Sequence, residues 1–190
     1  MKKLAVFFPG IGYTVDKPLL YYSRKLASQA GFEVRLLSYT GFPQNARGDR
    51  EQIRNACELA LFRVKEQLSD TDLSACGELL FVGKSVGTYA AAGLAAEISA
   101  PDRIRLLLYT PLEETFVFPF TDAVVFTGSA DPWTAEGSIP ELCHGRGIPC
   151  TLISQANHSL ETGNVKQDLR NLEQIMSETK RFIKASGREK

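Results

Sequence analysis

The sequence predicts an α/β protein: a three-layer αβα sandwich around a mostly parallel sheet of about six strands, formed by a single domain over residues 1–190. Three observations carry this expectation. Short apolar runs alternate with amphipathic stretches along the whole chain. Several runs are apolar almost throughout rather than at every second position, the pattern of strands covered on both faces. Strand and helix in strict alternation imply right-handed βαβ crossovers, which make neighbouring strands parallel.

The predicted strands are "LAVFF" (4–8), "EVRLLSY" (33–39), "LLFVG" (79–83), "IRLLLYT" (104–110), "AVVFTG" (123–128) and "CTLIS" (150–154). The first helix opens at Asp16-Lys17-Pro18, with Asp16 as cap and proline in the first turn, where its missing N–H costs nothing. It ends at Gly31, a C-terminal stop. Residues 50–68 place Ile53, Cys57, Ala60, Leu61, Val64 and Leu68 on one stripe. The segment "TYAAAGLAAEIS" (88–99) is small and apolar nearly all round, which predicts a deeply buried helix. Residues 164–184 present Val165, Leu169, Leu172, Met176 and Phe182 as the inward face. The polar last six residues are expected to fray.

Composition narrows the function classes. Apolar residues make up 44% and charged residues 23%, ordinary for a soluble globular protein with a real core. The 22 basic and 22 acidic residues cancel, and no run of four basic residues occurs, so neither nucleic acid nor an anionic membrane is an expected partner. Cys57, Cys76, Cys143 and Cys150 form no C-x-x-C pair and have no histidines at zinc spacing, so structural thiols and no metal are expected. The apolar run after Met1-Lys2-Lys3 stops at Pro9-Gly10, too short for a secretory h-region or a membrane span. A cytoplasmic location is the expectation. Oligomeric state is not readable.

In an open parallel sheet the ligand site lies past the carboxyl ends of the strands. Those ends carry "PGIGYT" (9–14), "GKSVG" (83–87), "TPLEETF" (110–116), "GSADPW" (128–133) and "QANHSLE" (155–161). The third holds two signals. Gly-Lys-Ser ends a phosphate-binding loop, but that motif needs a glycine five positions earlier, where Glu78 stands, and the intervening "LLFV" is a strand. Gly83-x-Ser85-x-Gly87 is instead a nucleophile elbow: a strand turning at once into a helix, with small residues flanking the serine where backbone comes close. Asp131 and His158 follow in order on later strand ends.

With these residues the chain resembles the α/β-hydrolase superfamily. The likeness runs from "FFPGIGY" through "FVGKSVGT" and "FTGSADPW" to "ANHSLE", nearly the whole length, and is closest to small, capless bacterial serine hydrolases. The family's first two strands are missing, and only "PLEETFVFPFTD" stands where larger members insert a cap. Proline-glycine replaces the His-Gly pair common in the oxyanion loop. Lys84, the first variable residue of the elbow, is given no role.

The resemblance implies a serine hydrolase that cleaves a carboxylic ester or thioester of a small acyl substrate, without a cofactor, at a shallow and open site. Ser85 would be the nucleophile, His158 the base and Asp131 the acid that orients it. The plainer readings are a helix-capping serine, a polar loop histidine and an Asp-Pro turn. Glu113 and Glu114 are alternative acids, and His144, inside a predicted helix, belongs to the outer layer. Backbone N–H groups of Val86 and Ile11 would form the oxyanion hole, with Gly12 as substitute. Gly12, Tyr13 and Trp133 are candidates for the substrate pocket. Asn157 and Ser159 would orient the histidine turn. A non-catalytic binding protein on the same fold, or an amide hydrolase, is the competing function.

Overall fold

In the computed structural model, which describes residues 2–42 and 48–185, six strands form one sheet in the order β2-β1-β3-β4-β5-β6, every pair parallel. The strands are β1 (Lys3–Phe8), β2 (Glu33–Leu36), β3 (Glu78–Lys84), β4 (Ile104–Tyr109), β5 (Ala123–Gly128) and β6 (Cys150–Ile153). Five helices connect or flank them: α1 (Pro18–Gln29), α2 (Arg50–Gln67), α3 (Val86–Glu97), α4 (Ser138–His144) and α5 (Val165–Lys184). The central strands β3, β4 and β5 are buried along almost their whole length, as both-face coverage requires.

Successive side chains alternate between the two faces and so build two cores. Phe8, Leu79 and Phe81 pack with α2, α3 and α4 on one face. Phe7, Leu80, Val82 and Tyr109 pack with α1 and α5 on the other. The result is the three-layer αβα sandwich. Among the described residues no helix is long and apolar enough to cross a membrane, and no His/Cys/Asp/Glu group could hold a metal ion. Cys57, Cys76 and Cys143 are buried, Cys150 is half-buried, and all four are free thiols.

Four elements differ from expectation for identifiable reasons. Asp16 does not cap α1; Lys17 holds that position and Asp16 pairs with Arg24 at 3.0 Å. β2 ends at Leu36 because the Gln67 side chain binds both the N–H and the carbonyl of Ser38, drawing the chain off the sheet. α3 begins at Val86, directly after Ser85. The buried stripe of α5 is Asn171, Ile175, Thr179 and Ile183; of the expected face, Leu172, Met176 and Phe182 pack partly buried against the core, whereas Val165 and Leu169 are 74% and 63% exposed. Two polar residues occupy that stripe because partners await them: Thr179 bonds the Tyr109 hydroxyl and Asn171 receives Gln167. Gly31, at φ +84°, does end α1. The polar tail from residue 186 onward lies outside the described residues.

The most constrained junction is that between β3 and α3. A Cβ on Gly87 would meet the Pro9 carbonyl oxygen at 2.5 Å and the Phe8 carbonyl oxygen closer still. A Cβ on Gly83 would meet the Thr88 Cα at 2.7 Å. Both obstacles are backbone, which cannot rotate aside. Overpacking of this kind costs about 1–3 kcal/mol or more. Gly87→Ala is therefore expected to lower unfolding free energy by at least ~2 kcal/mol in urea titration, and Gly87→Val to leave no soluble folded protein.

Candidate active site

The third strand delivers Ser85 into the bend before α3. Its backbone sits at φ 55° and ψ −126°, in a region that non-glycine residues avoid at a cost of about 1–3 kcal/mol. The strain is maintained from both sides. The Ser85 N–H donates to the Tyr109 carbonyl at 3.1 Å, and the Ser85 carbonyl accepts from the Thr88 N–H at 2.8 Å and the Thr88 hydroxyl at 2.6 Å. Ser85 caps nothing with its side chain. Its Oγ points instead to His158 Nε2, 2.8 Å away.

His158 stands in the loop after β6. Its Nδ1 is 2.7 Å from Asp131 Oδ2, and the second Asp131 oxygen accepts the Trp133 N–H at 3.0 Å. The Asp131 side chain is 1% exposed, so its carboxylate is committed to these two partners. Serine, imidazole and carboxylate thus form one continuous hydrogen-bonded chain, built from three strand ends. Glu113, an alternative acid, is held elsewhere by Arg50 and the Ala135 N–H, both at 3.0 Å. His144 is exposed at the end of α4.

Thr110 and Tyr39, which carried no role in the sequence, hold this chain in place together with Trp133 and Asn157. Thr110, at φ 41°, donates its hydroxyl to the His158 carbonyl at 3.1 Å. Tyr39 donates to the Pro9 carbonyl at 2.6 Å and anchors the loop after β1. Trp133 lies over the His158 ring, centroids 5.1 Å apart and planes 25° from parallel. Asn157 accepts the N–H groups of Ser159 and Glu161, at 2.7 and 3.2 Å, and closes the turn that carries the histidine. The site is more enclosed than expected for a capless protein, since Ser85 retains 3% of its surface and the His158 side chain 15%.

The loop after β1 turns through a tight bridge in which Gly10 and Tyr13 exchange N–H···O bonds of 3.0 and 3.3 Å. This leaves Ile11 and Gly12 at the tip, with Gly12 at φ 67°. Val86 opens α3, where first-turn N–H groups have no intrahelical acceptor. Tyr13 is buried, and its hydroxyl accepts the Leu19 N–H at 3.1 Å. On its outer side is a largely apolar cavity of about 430 Å³, bounded by Tyr13, Leu160, Val165, Leu169 and Leu172, with Ser159 and Glu161 at its edge. A smaller cleft of about 200 Å³ opens beside Trp133 and Glu114.

The electrostatics of the site centre on Lys84, which is 1% exposed on β3 beside the serine. Burial lowers its pKa from 10.5 to about 7, opposed by the Asp131 carboxylate. Burial also lowers the His158 pKa to about 4, helped by the Lys84 charge and opposed by its bond to Asp131. Burial raises the Tyr13 phenol to about 12.

No family model matches this chain, and no curated protein does. Solved structures do. An esterase of Pyrococcus furiosus superposes with a TM-score of 0.59 at 15% identity, covering 96% of this chain and 82% of that one. A Xanthomonas campestris protein described as an α/β serine hydrolase without a lid gives 0.56 at 16% identity, with coverage of 95% and 80%. A Coxiella burnetii α/β serine hydrolase homologue gives 0.52 at 15% identity, with coverage of 93% and 84%. The chain therefore has the α/β-hydrolase fold. Between β4 and β5 it carries only the short turn of Glu113–Val117, so no cap domain stands over the strand ends.

Both depressed bases make stability depend on pH. Unfolded histidine binds a proton below about 6.5, whereas His158 waits until about 4, so stability is lost as pH falls through that window. Unfolded lysine holds its proton up to 10.5 and Lys84 only to about 7, so stability rises with pH between those values. Urea midpoints are expected to climb from pH 7 to pH 10, and Lys84→Met to flatten that rise.

Proposed function

We propose that this protein is a serine hydrolase that cleaves carboxylic esters or thioesters by acyl transfer through Ser85 to water. The observation that carries the reading is the unbroken chain Ser85 Oγ–His158 Nε2–His158 Nδ1–Asp131 Oδ2, with links of 2.8 and 2.7 Å. Adjacent placement of hydroxyl, neutral imidazole and buried carboxylate supports general-base activation of an otherwise inert serine. With His158 neutral down to about pH 4, the base is available at neutral pH.

In the first half-reaction the Ser85 Oγ attacks the substrate carbonyl carbon while its proton passes to His158 Nε2. Asp131 holds Nδ1–H and stabilises the imidazolium. The carbonyl oxygen takes up the negative charge. Its donors are the Val86 N–H at the head of α3 and the Ile11 N–H at the tip of the first loop, with Gly12 beside it. Such donors need no reorganisation when the charge develops. The intermediate collapses, the C–O or C–S bond breaks, and His158 returns its proton to the leaving alkoxide or thiolate. In the second half, His158 removes a proton from water, the resulting hydroxide attacks the acyl carbon, and Ser85 leaves with that proton.

Tyr13 borders the 430 Å³ apolar cavity, which is of a size that holds small ligands and supports an apolar substituent on the substrate. Trp133 serves the histidine rather than the pocket alone, because it covers one imidazole face. The reading places the protein in the cytoplasm, acting on small acyl substrates without cofactor.

The test is turnover of p-nitrophenyl esters from acetyl to dodecanoyl. Activity is expected on part of the series, with Ser85→Ala and His158→Gln each lowering kcat by about 10³-fold or more. Absence of turnover at every chain length, by folded protein, would leave a non-catalytic binder. Leu169→Trp, which narrows the cavity, is expected to raise KM for the longer esters and leave acetate unaffected.

A further inference from the structure

Lys84 is buried to 1% exposure, a rare state for a lysine without a paired carboxylate. Alternation along β3 puts its side chain on the same face as Leu80 and Val82, on the side of the sheet that α1 covers. Among the described residues it takes part in no hydrogen bond and no ion pair, and its Nζ lies over the Tyr13 ring, 5.0 Å from the centroid. A ring face attracts an ammonium, more strongly where water is excluded. This contact ties the end of β3 to Tyr13.

The same residue meets the other foot of the loop after β1. A Cβ on Gly10 would stand 3.4 Å from the Lys84 Cγ, 3.0 Å from the Lys84 carbonyl oxygen and 3.0 Å from the Ser85 Cβ. Gly10 and Tyr13 are the two feet of one turn, joined by N–H···O bonds of 3.0 and 3.3 Å, and Ile11 and Gly12 form its tip. The Lys84 stem therefore lies against one foot and its ammonium against the other. Two further contacts each hold one side of the turn. The Tyr39 hydroxyl bonds the Pro9 carbonyl, and the Leu19 N–H bonds the Tyr13 hydroxyl. Lys84 touches both sides, and it does so from the residue next to Ser85.

We propose that Lys84 is a positioning residue for the oxyanion donor: it seats the Gly10–Tyr13 turn against the nucleophile, so that the Ile11 N–H keeps its place relative to Ser85. The proposal rests on the hydrolase reading given above, in which that N–H receives the carbonyl oxygen. Residues 84 and 85 are joined by one planar peptide unit, so a turn anchored on the first is held at a fixed distance from the second. Losing one oxyanion donor costs about 10²–10³-fold in kcat. A donor displaced but not lost costs less, about tenfold or more. Methionine keeps most of the stem and drops the charge. Lys84→Met thus leaves the packing against Gly10 and releases Tyr13.

The experiment measures ester turnover and phenylboronic acid affinity for wild type, K84M, Tyr13→Leu and the double variant. The Ser85 Oγ bonds the boron, its proton passes to His158, and the boron becomes a tetrahedral anion whose oxygen meets the oxyanion donors. The boronate therefore reports those donors, whereas the KM of the acetyl ester reports ground-state binding. The expected result for K84M is a loss of about tenfold in kcat and in boronate affinity, by one factor across the acyl series, with the acetyl KM unchanged. The double variant is expected to lose no more than the worse single variant, because both substitutions break one contact.

A K84M protein that is less stable to urea but keeps wild-type kcat and boronate affinity overturns the proposal, since the lysine then only fills the core. Losses that add in the double variant overturn it as well. A wild type that neither turns over an ester nor binds the boronate refutes the hydrolase reading instead. The NMR amide resonances of Ile11 and Gly12 then decide, and their staying in place in K84M overturns the seating of the turn. Should K84M not fold, Tyr13→Leu decides: undiminished boronate affinity without the ring overturns the proposal.

Discussion

At Gly87 the first turn of α3 lies against the carbonyls of Phe8 and Pro9, closer than any Cβ would permit. That single approach fixes three things. It sets the end of β1 against the start of α3, with the Gly10 backbone close to Ser85. It forces the chain to reverse within one residue, which puts Ser85 at φ 55°. It also leaves the strained serine with its hydroxyl directed out of the sheet toward the next strand ends. Hydrogen bonds from Thr88 and to Tyr109 then hold a conformation that the backbone alone would leave.

The rest of the site is arranged around that fixed point. β4, β5 and β6 follow in spatial as well as sequence order, so their terminal loops approach Ser85 from one side. Asp131 reaches His158 because β5 and β6 are neighbours. Thr110 at the end of β4 ties down the His158 carbonyl. Trp133 covers the ring, and its N–H engages the free Asp131 oxygen. These contacts support the proposed catalytic reading, and the TM-scores of 0.52 to 0.59 establish the same fold in proteins only 15–16% identical.

What the sequence made legible is what local chemistry determines. Continuous apolar runs identify the strands, because two-sided burial leaves no polar position. Gly83 and Gly87 identify the bend, because close approach demands glycine. The strand-end rule leads to Ser85, Asp131 and His158 without any contact being known. The inward face of α5 was hidden because it carries two polar residues, Thr179 bonded to the Tyr109 hydroxyl and Asn171 accepting from Gln167, so the true stripe is less apolar than its exposed neighbour. Lys84 has no legible role in the sequence because a lysine reads as a surface residue, and only the packed structure shows it buried at 1% exposure. Thr110, Tyr39 and the stacking of Trp133 act through tertiary contacts between residues 25 to 48 apart and have no motif.

A site this enclosed confines its own electrostatics. For the His158 imidazole and the Lys84 amine, burial is the largest influence on the proton, ahead of any neighbouring charge. The nucleophile remains the centre of the account. Its most direct test is reaction with a fluorophosphonate, followed by mass spectrometry of the peptide that contains residue 85. The account predicts one phosphonyl adduct per chain, located on Ser85 and absent from Ser85→Ala. Equal labelling of wild type and Ser85→Ala, or an adduct on another residue, would contradict it.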